Sequence, residues 1–290
     1  MKIAQNRSRI TLSSVRHCFT IALLFFSATL PAHAAELQAK TLAAWETYIR
    51  FTEQRIAKET ADNRRFLVMD FRPGGEVKSA RAQLRSGQLD IHKMKTTRES
   101  GREIGVDGGM IHHWIGTVFI PGVKLDAVIG WLHDYDDHAG RFTEAIASKL
   151  VSRQGDTFQI YLKLRRKKII TVYYNSYYTA NYHEKGPGRV FSDSHSTKIA
   201  QLDNPDTPQE RERPVGEDSG FLWRLNSYWR YEEADGGVYV ECESVSLSRA
   251  IPFGFGWIIG SYVESVPRES LENTLTSIRD GVLKAVASDK

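Results

Sequence analysis

Two imidazoles and three carboxylates crowd into six residues at His133-Asp134-Tyr135-Asp136-Asp137-His138, a donor set suited to a divalent metal. Their spacing speaks against it. His133 and His138 are five positions apart, about 140° around a helix, so they do not share a face. The stretch reads as a solvated helix end, and no metal site is assigned. His112 and His113 are neighbours on a strand and point to opposite faces, so they cannot act on one substrate together. Tyr173, Asn175 and His195 have the groups to carry or orient a proton. No acid and base can be set side by side from the sequence, however, and no H-E-x-x-H, G-x-S-x-G or phosphate-loop pattern is present. No catalytic residue and no cofactor is assigned.

Binding chemistry is better supplied. If Arg166-Lys167 is a two-residue hairpin loop, Leu164 faces Ile169, Leu162 faces Thr171, Ile160 faces Tyr173 and Phe158 faces Asn175. The other side of that hairpin, with Gln159, Tyr161, Lys163 and Arg165, belongs in water. If Asp235-Gly236 is a second such loop, Trp229 faces Cys242, Ser227 faces Ser244 and Leu225 faces Ser246. The inward face then holds Phe158, Ile160, Tyr173, Asn175, Ser227 and Trp229, an apolar wall with a few orienting polar groups, as in a small-molecule pocket. A filled core in which those polar groups bond to one another is the alternative.

These residues need a sheet to carry them, and the chain supplies one. Apolar or small residues at Leu42, Trp45, Ile49, Thr52 and Ile56 mark one face of a helix within 36–60, expected to pack on the domain that follows. Residues 64–104 read as short strands and turns. A strand over Met110 to Ile120, closed by Pro121-Gly122, leads to a helix over Lys124 to His133. Strands follow at 147–153, 157–165, 168–182, 189–201, 220–231 and 238–248, separated by turn chemistry such as Gly155-Asp156 and Lys185-Gly186-Pro187-Gly188. A charged, proline-containing loop from Asp203 to Glu217 breaks the series, and Arg213-Pro214-Val215-Gly216-Glu217-Asp218, leading into the next strand, is expected to cap the sheet edge or cover a cavity mouth. A helix from about Phe253 to Ala287, interrupted near Pro267, closes the chain with Leu271, Leu275, Ile278 and Val282 among its apolar stripe.

The first 34 residues have the three parts of a cleavable signal peptide: Lys2, Arg7, Arg9 and Arg16 without an acid, an apolar run from Phe19 to Leu30, and Ala32-His33-Ala34 as the cleavage site. A run of twelve residues is too short to cross a bilayer, which takes about 20. Export, to a periplasm or to the outside, is therefore expected. Losing those four cations brings the formal charge from +4 to zero, so the mature chain has no global field for nucleic acid. Only Cys242 remains, and the protein must be held by its core without internal disulfides. The run Lys163, Arg165, Arg166, Lys167 and Lys168 at a hairpin tip is either solvated or the place of a peripheral membrane contact.

The order of strand, short helices, antiparallel meander and long final helix resembles the START-like (Bet v 1-like, or SRPBCC) superfamily. The resemblance is carried by Val123-x-Leu125-x-x-Val128, Asp134-Tyr135-x-x-His138-x-x-x-Phe142, Tyr228-Trp229-Arg230-Tyr231, Asp235-Gly236-Gly237-Val238-Tyr239-Val240 and Ile251-Pro252-Phe253-Gly254. It covers roughly 110–287; Ala139 departs from the proline often found there, and the loop from Asp203 is long. It implies an α+β helix-grip fold, a curved antiparallel sheet around a long C-terminal helix, here with an N-terminal helical extension. The chain then divides into a signal peptide (1–34), an N-terminal helix with short strands (35–109) and a START-like domain (110–290). The implied function is binding of a hydrophobic small molecule of the lipid, sterol, quinone or polyketide class in an internal cavity. Two other readings are a cyclase or dehydratase on the same fold, and a non-catalytic partner of an envelope complex that docks through the N-terminal helix.

Overall fold

The computed structural model describes residues 35–167, 170–250 and 256–288, with only the backbone described for 35–36 and 256–264. The leader expected over 1–34 lies outside the described residues. The elements run β1 (Ala35–Glu36), α1 (Ala39–Thr60), a 3-10 turn (Val68–Phe71), α2 (Gly74–Arg85), β2 (Asp90–Lys93), β3 (Gly109–Pro121), α3 (Leu125–His133), a second 3-10 turn (Tyr135–Asp137) and α4 (His138–Arg141). Then come β4 (Ala145–Gln154), β5 (Thr157–Lys167), β6 (Thr171–Glu184), β7 (Arg189–Asp203), β8 (Arg211–Glu212), β9 (Glu217–Asp218), β10 (Arg224–Ala234), β11 (Gly237–Arg249) and α5 (Gly256–Ser288). Eight strands form one antiparallel path in the order β2-β3-β11-β10-β7-β6-β5-β4, with β8 attached to β7, while β1 pairs with β9. This is the helix grip that the resemblance implied.

Turn chemistry decides the registers. Asp235 and Gly236 have φ of 53° and 77°, the left-handed pair of a two-residue hairpin turn, and β10 and β11 pair as expected, Trp229 with Cys242, Ser227 with Ser244 and Leu225 with Ser246. The β5–β6 register differs from expectation. Both strands run on, Lys167 pairing with Thr171, so the connection is the three residues 168–170; Leu164 faces Tyr174, Ile160 faces Tyr178 and Phe158 faces Ala180. Arg166-Lys167 has no residue suited to positive φ, and nothing tightens the chain there into two residues. The register moves by an odd number of residues, which turns β6 over.

One face of the sheet is concave toward α5. Leu271, Leu275, Ile278 and Val282 pack there with Val118, Ile120, Val238, Val240 and Cys242, joined by Val128 and Leu132 of α3. Gly116 permits the approach: a Cβ on it would stand 2.6 Å from Leu275 Cδ1. Gly116→Val is therefore expected to cost about 1–3 kcal/mol through overpacking, read as a lower midpoint of urea unfolding; an unchanged midpoint would show that α5 does not press on β3.

The opposite face lies under α1 and α2. Trp45 and Ile49 of α1 are 5% and 9% exposed and cluster with Tyr48, Ile56, Phe66, Leu84, Trp223 and Tyr228. Burying each large apolar side chain contributes roughly 1.5–3 kcal/mol, so α1 is fastened to the sheet and not left free to dock elsewhere. The apolar face that the envelope-partner reading offered for docking is thus used within the protein at Trp45 and Ile49, with Leu42 half-buried. α2 falls where short strands and turns were expected; Gly74-Gly75 sits inside its first turn behind Pro73, a place where proline and glycine do little harm.

Candidate functional site

Rows of side chains cross the concave face from strand to strand. One runs Phe158, Ala180, Ser194, Ser227, Ser244 and Trp114 over β5, β6, β7, β10, β11 and β3. The next runs Ile160, Tyr178, Ser196, Leu225, Ser246 and His112, with the Leu225 N–H donating to Ser196 Oγ at 3.0 Å. A third runs Tyr182, Ser192, Trp229, Cys242 and Gly116 and lies where α5 presses on the sheet. Ser194, Ser196, Ser227, Ser244, Leu162, Leu225, Trp114 and Trp229 are half-buried. Among the described residues of α5, the apolar packing on the sheet begins at Leu271.

Four of the six residues expected on the inward wall are on this face, and they differ in use. Phe158 is fully buried against His133, Tyr135 and Tyr182, with ring centroids at 4.6, 5.4 and 5.5 Å, and is core. Ile160 is buried beside Tyr178. Trp229 stacks on Tyr231 at 6.2 Å, and its indole N–H donates to Ser227 Oγ at 3.0 Å. Tyr173 and Asn175 require correction: the odd change of register puts them on the outer face, where Tyr161 donates to Asn175 Oδ1 at 2.8 Å and Asn175 donates to Glu212 at 2.9 Å.

In their place β6 contributes Tyr174, Ser176 and Tyr178, all buried. The Ser176 hydroxyl donates to the Leu162 carbonyl at 2.9 Å. Neither tyrosine hydroxyl has a hydrogen-bond partner among the described residues. Burial pushes the Tyr178 phenol up to about 12, eased by the neighbouring Ser176; burial and then the Asp218 charge push Tyr174 higher still. Both remain protonated donors at neutral pH. Sequence reasoning missed them through the register alone, since the aromatic alternation of β6 was visible.

The histidines sort by face. His112 Nε2 lies 2.9 Å from Ser248 Oγ, while His113 points the other way into the α1 interface, 2.7 Å from Glu243. His195 is on the outer face, 3.1 Å from Glu53 of α1, and that hydrogen bond raises its pKa against the burial that lowers it. Tyr173, Asn175 and His195, the groups named for proton carrying, are thus all outside the concave face. His133 does end α3, and Asp134, Asp136 and Asp137 are exposed as expected, but the two imidazoles are not solvated. His138 is buried, donates to the Leu132 carbonyl at 2.9 Å, and is pushed down to about 4, first by burial; burial likewise lowers His133. Among the described residues no three of His, Cys, Asp and Glu gather as metal ligands.

The loop after β7 does not cap an edge of the large sheet, since its β8 pairs with β7 inside the strand order and Glu217–Asp218 pairs with β1. It straps the outer face: Lys163 donates to Asp206 and Glu210, both at 2.7 Å, and Lys198 pairs with Glu212. At the β5–β6 tip a surface cleft of about 440 Å³ is lined by Glu144, Arg165, Arg166, Lys167, Tyr173, Glu269 and Asn273, among others. Arg166 is held there by Glu144, while Arg165, Lys167 and Ile170 are exposed. Among the described residues no helix is long and apolar enough to cross a membrane.

No family model and no curated protein matches the chain. Solved structures resemble it at low identity. A STAR-related lipid transfer protein fragment from Xanthomonas axonopodis is 16% identical over 66% of this chain and 98% of its own, with a TM-score of 0.44. Human STARD10 is 8% identical over 76% of this chain and 83% of its own, at 0.39. The Zhui aromatase/cyclase from a Streptomyces strain is 14% identical over 61% of this chain and 96% of its own, at 0.37.

Proposed function

We propose that this protein is exported and binds a hydrophobic small molecule on the concave face of its sheet, in the space toward the N-terminal half of α5, to carry or sense it. One observation carries the reading. Beyond the solid packing of Leu271 to Val282, with half-buried Trp114 and Trp229 at its border, the same face continues with Leu162 and Leu225 half-buried and ringed by hydroxyls. Large apolar side chains left accessible inside a concavity gain by covering themselves with a ligand, at about 25 cal/mol per Å² before ordering costs.

Contact with an anionic lipid surface falls to the β5–β6 tip, where Arg165 and Lys167 have no ion pair among the described residues and stand near exposed Ile170. The leader supports export. Intact-mass measurement of protein recovered from the envelope or medium is expected to show a chain beginning at Ala35; recovery only of full-length protein inside the cell would end that part.

The binding test uses the purified protein directly. Native mass spectrometry followed by solvent extraction is expected to release a co-purified apolar compound. Leu225→Trp, which adds bulk at the centre of the accessible rows, is expected to lose it while the protein stays folded. A wild-type protein that carries nothing and takes up no apolar probe would refute the reading.

A further inference from the structure

Tyr174 and Tyr178 are 3% and 6% exposed, and their hydroxyls have no hydrogen-bond partner among the described residues. They stand at the fourth and eighth positions of the 14-residue β6, on the concave face, about 13 Å apart between Cα atoms at the usual strand rise. Buried polar groups are nearly always paired, and an orphan lowers stability; two on one face of one strand call for a common explanation. Their surroundings repeat the pattern. Ser196 Oγ and Ser227 Oγ each accept a bond from the protein, from Leu225 N–H and from the Trp229 indole, and a hydroxyl so used still has its own proton to give. The described residues of this face therefore offer hydroxyl protons in several places, with an acceptor, the Asp218 carboxylate and its unbonded Oδ2, near Tyr174.

Resting on the binding function proposed above, we infer that the ligand is an apolar molecule with hydrogen-bond-accepting oxygens, carbonyl or hydroxyl, in the middle of its body, which accept from Tyr174 and Tyr178. A plain acyl chain fits less well, because it would leave both phenols and the serine protons unanswered.

Equilibrium dialysis with 9-fluorenone and fluorene separates the two ideas, since the probes share one ring framework and differ by a central carbonyl oxygen. Tyr178→Phe and Tyr174→Phe each remove one donor and keep the ring. In at least one variant the fluorenone-to-fluorene affinity ratio is expected to fall about tenfold, equivalent to about 1.4 kcal/mol. Fluorene affinity should hold, and the ligand-free variant should melt no lower than wild type. If both probes bind and the ratio stays the same in both variants, the oxygen-bearing class is wrong while the cavity stands. A drop in ligand-free melting temperature would make the hydroxyls structural and also overturn the inference. If wild type binds neither probe, the binding function fails and the inference fails with it.

Discussion

Replacing Glu243 by alanine is expected to remove about 3–5 kcal/mol of stability, seen as a large fall in the urea midpoint with an unchanged slope. Glu243 is 2% exposed on the face of the sheet under α1. Its Oε1 accepts from His113 Nε2 at 2.7 Å and from the Arg55 guanidinium, and Arg55 reaches on to Glu59 at 2.8 Å. On the far side of the imidazole the Tyr48 hydroxyl meets His113 Nδ1 at 2.8 Å and accepts from Thr96 N–H, also at 2.8 Å. The carboxylate is the anion on which this chain converges. Burial alone would raise its pKa, but the His113 hydrogen bond and the charges of His113, Arg55 and Arg230 outweigh burial and hold it below the usual range. Alanine leaves His113 Nε2 without its acceptor in a buried place and leaves half-buried Arg55 with Glu59 alone of its two carboxylate partners, and the loss is that of the buried groups left unanswered. Glu243→Gln, which keeps an acceptor, should cost less. Glu46→Ala, at an exposed position of α1, should stay within about 0.5 kcal/mol. A loss below about 1 kcal/mol for Glu243→Ala would mean that α1 is held by its apolar stripe alone.

That interface also marks the limit of what the sequence discloses. The stripe through Trp45, Ile49, Thr52 and Ile56 was legible because helical spacing is local, and so was the β10–β11 register, because Asp-Gly specifies its turn. The identity of the site was less legible. Whether Tyr173 or Tyr174 lies on the concave face turns on one odd step of register at a loop of Lys and Ile, residues that prescribe no turn type. Only packing decides it: the even positions of β6 are the ones that bury Val172, Tyr174, Tyr178 and Ala180. Glu241, Glu243 and Arg230 resemble solvent-facing charges in a strand that alternates with apolar residues, until α1 and the Val68–Phe71 turn cover that side. His133 misled for the same reason, since the rings against it, Phe158 and Tyr182, arrive from strands farther along the chain, whereas His138 meets the neighbouring rings of Tyr135 and Phe142.

Glu241→Gln is expected to stabilise the protein by roughly 1–3 kcal/mol more at pH 8 than at pH 5. Glu241 is buried, accepts from Val68 N–H at 2.7 Å and from Thr117 Oγ1 at 3.2 Å, and burial pushes its carboxyl up to about 7 despite Arg230 and those two bonds. A carboxyl raised in the folded state contributes stability that is fully present below its unfolded pKa, about 4.3, and is lost as pH rises through about 7. Tenfold weaker acidity in the folded chain than in the unfolded one corresponds to about 1.4 kcal/mol. Glutamine stays neutral throughout, accepts the Val68 bond and can donate to Thr117, so the variant escapes the loss at high pH. The wild-type curve alone will not display this, because His138 acts in the opposite sense. Its pKa is depressed to about 4, and its contribution is present above about 6.5 and lost as pH falls toward about 4. Glu243, held low, loses its contribution only in more acid solution. The difference in unfolding free energy between variant and wild type cancels these common contributions and should rise from about pH 4.3 and level off as the pH passes about 7. A flat difference over that range would mean that Glu241 is ionised at no cost, with the buried cations around it meeting its charge in full.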